Sequence, residues 1–241
     1  MTIHYGDVTD SHFVEAVIKQ VCPDEIYNLA AQTHVQHSFQ MPGHTIDVNL
    51  KGLLNICQAI IQLKVIEHTR IFHASTSEMF GQAGVSDVAM DVTFPFNPVS
   101  PYAVSKVASF YLVRYYRTVY KLRISTAISF NHESPLRHES FITRKITKAA
   151  ARIKCGLQKR LKIGNLNAKR DWGHAGEFVK AFWLIINQDI IKKEDVLADY
   201  VVATESCITV REFLLRAFSK AGFSDLRFEG AGLEERLLSG S

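Results

Sequence analysis

A chain of 241 residues, 47% apolar and 22% charged, can bury one sizeable core with a smaller lobe beside it, and this composition excludes disordered and fibrous classes. Its net charge of +4 is mild and the cations are spread, which speaks against a nucleic-acid-binding protein; apolar runs such as Ala181–Ile186 are far too short to cross a bilayer. The N-terminal Met-Thr-Ile-His-Tyr-Gly-Asp shows no basic segment followed by an apolar one, so a cytoplasmic protein without membrane association is expected.

In chain order, Ile3–Asp7 reads as the end of a strand, and Thr9-Asp-Ser11 as the cap of a helix running to about Gln20. Pro23-Asp24 turns the chain into a strand over Glu25–Ala31, whose small terminal residues let a ligand approach the backbone. Thr45–Leu63 has apolar residues at helical spacing, Arg70–Ala74 is a buried strand, and Tyr102–Tyr120 is the next helix. Arg123–Ser129 is a further strand that empties into a polar loop, Phe130–Arg137. A basic amphipathic helix over Phe141–Lys154 follows, then a short strand at Leu161–Ile163 and a second polar-aromatic loop, Gly164–His174. Helices over Gly176–Asn187 and Val210–Ala221 and strands at Tyr200–Ala203 and Leu226–Phe228 complete the chain. Alternation of strand and helix at this spacing predicts the α/β class, a doubly wound parallel sheet, with a smaller α/β lobe after a boundary near Ser134.

Cys22, Cys57, Cys155 and Cys207 are far apart, with no C-x-x-C pair, so buried thiols are expected rather than zinc ligands or disulfides. His34 and His37 form an H-x-x-H pair without a third ligand, so no metal is expected.

The chemistry is expected between Arg70 and Lys106. The apolar run Arg70-Ile-Phe-His-Ala ends in Ser-Thr-Ser-Glu78, as a parallel strand does when it empties into a site at its carboxyl edge. In an extended segment Thr76 and Glu78 share one face. Ser100-Pro-Tyr-Ala-Val-Ser-Lys106 places Tyr102 and Lys106 four apart in the first turns of a helix, so both point the same way, and an ammonium near a phenol makes the phenolate accessible as a general base. A Tyr-x-x-x-Lys pair alone is common by chance and reads equally well as a solvated helix face. The order of strand, Ser/Thr-x-Glu, loop, Ser-Pro-Tyr-x-x-x-Lys and helix is the specific signal.

That arrangement resembles the extended short-chain dehydrogenase/reductase family. Ala74–Glu78, Phe130–Pro135, Thr143–Lys145, Gly164–His174 and Leu226–Gly230 narrow the resemblance to the GDP-mannose 4,6-dehydratases, a family acting in nucleotide-sugar metabolism towards GDP-fucose. The resemblance implies a Rossmann-like fold, with residues 1–133 as a partial NADP-binding domain and 134–241 as mostly a substrate-binding lobe with some chain returning to the first. It implies dehydration of GDP-mannose to GDP-4-keto-6-deoxymannose with NADP reduced and reoxidised, catalysed by Thr76, Glu78, Tyr102 and Lys106. Asp7, Val8, Leu29, Ala30, Ala31, Gln32, Thr33, His44, Lys106, His132 and Arg137 match its cofactor positions, and Asn131, Lys145 and Arg170 are the candidates for the sugar nucleotide. The bland readings are loop bracing for His132 and Asp171 and a solvated helix lysine for Lys145. A homo-oligomer, dimer or tetramer, is implied, formed through Thr45–Leu63 and Tyr102–Tyr120.

Departures from the family pattern are also plain. No G-x-x-G-x-x-G loop occurs, and both ends look cut: the fold is expected to be truncated at its N-terminus, and the tail Leu233–Ser241 to stop before the last substrate-binding segment. His44 stands where the family has a tyrosine, and Leu136-Arg137-His138 where it has Arg-Arg-Gly. The loop from Glu78 to Tyr102 is about two residues longer than the family's.

Overall fold

The computed structural model describes residues 1–85, 90–188, 197–230 and 235–238, with backbone alone for 82–85. Part of the lengthened loop after Glu78 and most of the tail from Leu233 lie outside the described residues. The chain divides into two compact units, Met1–Phe130 with Gly176–Ala203, and Asn131–Ala175 with Thr204–Ser241.

The first unit is built on a parallel sheet. Helix α1 (Ser11–Val21) starts because Asp10 Oδ1 accepts from the backbone N–H of His12 and Phe13, and ends at Cys22 in the left-handed conformation. Strands β1 (Glu25–Asn28), β2 (Arg70–Thr76), β3 (Ile124–Ser129) and β6 (Asp199–Val202) pair in the order β1-β2-β3-β6, all parallel. Ile71 and Ile124 pack with α1, α4 (Gly52–Gln62) and α5 (Pro101–Tyr120) on one side, while Phe72 and Ala127 pack on Phe178 and Phe182 of α7 (Ala175–Ile186) on the other. Helices on both faces make the sheet doubly wound, which is why β2 and β3 are buried without a two-residue period. A third cluster, Met79, Phe80, Phe110 and Ile128, closes the carboxyl edge.

The expected helix over Thr45–Leu63 is three pieces. Helix α3 (Pro42–Ile46) runs into a π-helical turn, Asp47–Lys51, and then α4; a further short helix, α2 (Val35–Gln40), precedes them. Ile3–Asp7 forms no strand, because no strand among the described residues pairs with it; Asp7 turns the chain, its side chain accepting the Thr9 N–H at 2.8 Å and its carbonyl the Asp10 N–H at 3.1 Å.

In the second unit, β4 (Asn131–Glu133) pairs parallel with β5 (Lys169–His174), which pairs antiparallel with β7 (Cys207–Thr209). Both predicted polar loops thus contain strands, whereas Leu161–Ile163 has no strand partner. Helix α6 (Ile142–Lys154) packs through Ile146 and Ala150 on Leu214 and Phe218 of α8 (Val210–Lys220), which opens with a Thr209–Glu212 capping box. Arg227–Glu229 (β8) and Arg236–Leu238 (β9) form an antiparallel hairpin. Of the four cysteines only Cys57 is buried, which pushes its thiol up to about 12; Cys22, Cys155 and Cys207 are exposed, contrary to expectation.

Candidate active site

The site of the first unit is set by where β2 ends and α5 begins. Thr76 is the last residue of β2 and 9% exposed. The chain then coils into a 3-10 segment, Ser77–Val85, so Glu78 reaches its place from a turn, and strand alternation does not put it on one face with Thr76. Instead, the backbone N–H of Glu78 donates to Thr76 Oγ1 at 3.3 Å, and the segment packs against α5. Its exit requires Gly81: φ is +64°, and a Cβ would lie 2.1 Å from the carbonyl oxygen of Asn97.

Helix α5 is started by Ser100, whose Oγ accepts the Ala103 N–H at 3.1 Å, with Pro101 at the first helical position. Tyr102 is buried, 8% exposed, and Lys106 only 3%. Lys106 Nζ donates to the carbonyl oxygen of Ala74 on β2 at 2.8 Å, tying helix to strand two residues before Thr76. Burial lowers the Lys106 ammonium to about 8. Such a group keeps its proton at neutral pH yet sits close to releasing it.

A buried clamp not foreseen from sequence supports this turn. Asn49, on the π-helical turn, donates to Ser105 Oγ at 2.9 Å and to the Gln32 carbonyl at 3.3 Å, and accepts the Gln32 N–H at 2.8 Å. Ser105 Oγ donates in turn to the Tyr102 carbonyl at 2.7 Å. One amide thereby joins the segment after β1 to the helix of the tyrosine. The only sequence signal was the π-turn's own Asp47-Val-Asn-Leu-Lys, whose register a regular helix would have hidden.

Among the expected cofactor residues, Leu29 to Thr33 follow β1 at the carboxyl edge outside any helix or strand, with Leu29, Ala30 and Thr33 exposed. Val8 is held by Asn55, whose Nδ2 donates to the Val8 carbonyl at 2.8 Å, and rests on Gly52, where a Cβ would meet Val8 Cγ2 at 2.8 Å. Asp7 titrates below the usual carboxylate range because Thr9 donates to it, with His44 and Lys51 adding favourable charge, so His44 lies in its neighbourhood. Gln32 Oε1 is buried without a hydrogen-bond partner among the described residues. His34 and His37 stack, ring centroids 4.1 Å apart, and the His34 ring caps α2; no group of three or more possible metal ligands occurs among the described residues.

The remaining candidates belong to the second unit. Asn131 and Arg170 lie on the paired strands β4 and β5, with Asn131 opposite Trp172. Arg137 lies 3.2 Å from Glu133 Oε2 without hydrogen-bond alignment, and its guanidinium covers the Phe141 ring at 3.6 Å. Lys145 is exposed on α6. Asp171 braces its loop: its carboxylate accepts from the Thr204 N–H at 2.9 Å and from Thr204 Oγ1 at 2.7 Å.

A doubly wound parallel sheet whose central strand ends in Ser-Thr-Ser-Glu, faced by a helix opening on Pro-Tyr-x-x-x-Lys with the lysine bonded back to that strand, defines a short-chain dehydrogenase/reductase. The profile of the GDP-mannose 4,6-dehydratases matches residues 1–237, and the chain belongs to that family. It is 45% identical to the GDP-mannose 4,6-dehydratase of Sinorhizobium fredii (strain HH103) over 97% of this chain and 64% of that protein. It is 43% identical to GDP-mannose 4,6 dehydratase 2 of Caenorhabditis elegans, again over 97% of this chain but 59% of the relative. The chain thus spans about three fifths of the length of these relatives. Among solved structures, RMD from Pseudomonas aeruginosa complexed with NADPH superposes with a TM-score of 0.81 at 26% identity, over 90% of this chain and 71% of that one.

Proposed function

We propose that this chain carries the chemistry its relatives are named for, the removal of one water from GDP-mannose to give GDP-4-keto-6-deoxymannose, with NADP as the cofactor. The observation that carries this reading is Lys106, buried with no ion pair among the described residues, bonded to the strand that ends in Thr76 and placed four residues after Tyr102 on one helix.

The residues present suit a dinucleotide: a partly exposed segment after β1, a Gln32 Oε1 within it that is buried with no partner among the described residues, and a buried ammonium. Leu29 to Thr33, Asp7, Val8, His44 and Lys106 of the first unit would hold it; RMD, the superposable relative, is a complex with NADPH. When bound, NADP would supply reversible hydride transfer, so that C4 is oxidised and C6 reduced with no net redox change. Tyr102 Oη, as phenolate, takes the proton of the 4-hydroxyl, and the ammonium of Lys106 favours that phenolate. Thr76 Oγ1 hydrogen-bonds the 4-oxygen. The Glu78 carboxylate removes the C5 proton made acidic by the 4-ketone and, as the acid, delivers it to the departing 6-hydroxyl, so water leaves; C5 regains a proton when C6 is reduced, and the one that Tyr102 took from the 4-hydroxyl balances it. Of the second unit's residues taken by themselves, Asn131 can bond sugar hydroxyls, and Lys145 and Arg170 carry the charge that suits a diphosphate.

The same reading places the enzyme in the cytoplasm as a homo-oligomer. It is supported by apolar side chains left exposed on α5, namely Val104, Tyr111, Tyr115 and Val119, with Leu54 on α4. A second reading, a catalytically impaired dehydratase that binds nucleotide sugar or an intact subunit, is favoured by one observation: none of the 13 glycines falls in a G-x-x-G-x-x-G loop, whose amides hold a pyrophosphate. Incubation of the purified chain with GDP-mannose and NADP separates the two. Product lighter by one water supports the enzyme, and no turnover where a relative works under the same conditions refutes it. Calorimetric titration with NADP adds the complement, since tight binding by this chain contradicts the impaired reading.

A further inference from the structure

The cations of this chain are spread, but its acids are not. The second unit holds 16 lysines and arginines against 9 aspartates and glutamates, net +7, while the first holds 12 against 15, net −3. From Ser140 to Arg170 there are ten cations and no acid. Such an excess repels itself, so folding alone does not favour it. Five of the ten, Arg152, Lys154, Lys159, Arg160 and Lys162, stand exposed at the C-terminal end of α6 and in the segment just after it.

The helix ends in a Schellman turn. Gly156 takes a φ of +71°, its N–H donates to the Ile153 carbonyl at 3.0 Å, and the Leu157 N–H donates to the Arg152 carbonyl at 2.8 Å. A residue in the place of Leu157 ordinarily packs back on an apolar side chain of the last turns, but those positions are Arg152 and Ala151, and Leu157 is left 71% exposed. Arg152 and Lys154 suit the negative end of the helix, an explanation that does not reach Lys159, Arg160 and Lys162 beyond it. The acids lining the hollows along this segment, Glu139 and Glu235, are taken by Lys148 and Arg211. Lys154 spends itself on the Gly222 carbonyl and the Phe223 ring, neither of which cancels its charge. Arg152, Lys159, Arg160 and Lys162 enter no ion pair among the described residues.

We propose that this end of α6 is a docking surface for an anionic lipid membrane, with the cations against acidic headgroups and Leu157 entering between them. An apolar side chain set among cations matches the step from water to acyl chain at such a surface. No aromatic residue lies between Ile142 and Ile163, so single-stranded nucleic acid would find no platform for its bases. The attachment is peripheral and reversible: among the described residues no helix is long and apolar enough to cross a membrane, and one leucine with five charges is a weak anchor. It departs from the absence of membrane association expected from the sequence, because whole-chain charge conceals where the acids are missing.

Co-sedimentation of the purified full chain with phosphatidylcholine vesicles, with and without phosphatidylserine, tests it at about 0.1 M salt. The chain is expected to pellet with the acidic vesicles alone. Each cation at such a surface multiplies partitioning about fivefold, so Lys159→Gln with Arg160→Gln should lower it about 25-fold, and Leu157→Ser about tenfold. Lys19→Gln with Lys64→Gln, an equal loss of charge from exposed positions of the first unit, should stay within about twofold of the parent. All these side chains are exposed, so thermal melts should not move. No pelleting with acidic vesicles, equal pelleting with neutral ones, or an equal loss from the Lys19 and Lys64 pair overturns the proposal. Tighter binding to a single-stranded RNA than to the acidic vesicles overturns it in favour of a nucleic-acid surface. Turnover of GDP-mannose is not read, so the result stands apart from the dehydratase assay.

Discussion

Replacing Lys106 by methionine removes the buried ammonium and keeps most of its stem. The fall of its pKa from 10.5 to about 8, at about 1.4 kcal/mol per unit, means that keeping the charge in the folded state costs about 3 kcal/mol at neutral pH. The bond to Ala74, a charge-assisted one worth about 1.5–3 kcal/mol, offsets much of that, so the variant's net stability near pH 7 should lie within about 2 kcal/mol of the parent's. The pH dependence is the sharper quantity. A lysine whose folded pKa is depressed binds fewer protons folded than unfolded between the two values, so parent stability rises with pH from about 8 to 10.5, and that increment is lost as pH falls through the folded value. Urea unfolding of both proteins should therefore show the parent gaining about 2 kcal/mol on Lys106→Met between about pH 7 and about pH 9.5. A difference that does not change with pH would show that Lys106 is solvated, and would remove the physical basis for its action on Tyr102.

Tyr102→Phe keeps the ring's packing and removes the base, so turnover should fall by about 10²–10⁴-fold with an unchanged thermal melt. Glu78→Gln should still allow oxidation at C4 but not elimination, so reduced nicotinamide should accumulate in single-turnover absorbance where the parent shows little; a silent trace contradicts the assigned role. Gly81→Ala forces a Cβ into the Asn97 carbonyl at positive φ, and should cost about 3 kcal/mol in denaturant unfolding.

What the sequence discloses of this fold follows from what decides each element. β2 and α5 are legible because the first is an apolar run buried on both faces and the second opens with its own cap and proline. Those two carry Thr76, Tyr102 and Lys106. β5 is illegible because Lys169–His174 is polar and aromatic without alternation, and is a strand only because β4 and β7 pair with it. Leu161–Ile163 has the strand-like residues but no partner. Glu78 was placed by strand periodicity, which stops at Thr76, so its position depends on a 3-10 turn that Gly81 terminates. Asn49 is illegible for a related reason: it looks like one polar residue in a helix, and only the π-turn reveals what it faces.

The most direct measurement follows one label. GDP-mannose deuterated at C4 is converted by the purified chain with unlabelled NADP, and the product is read by mass spectrometry and NMR. The account predicts a 4-keto-6-deoxy sugar nucleotide that has lost one water and carries the deuterium at C6. Recovery of unchanged substrate, or of product without the label at C6, would contradict it.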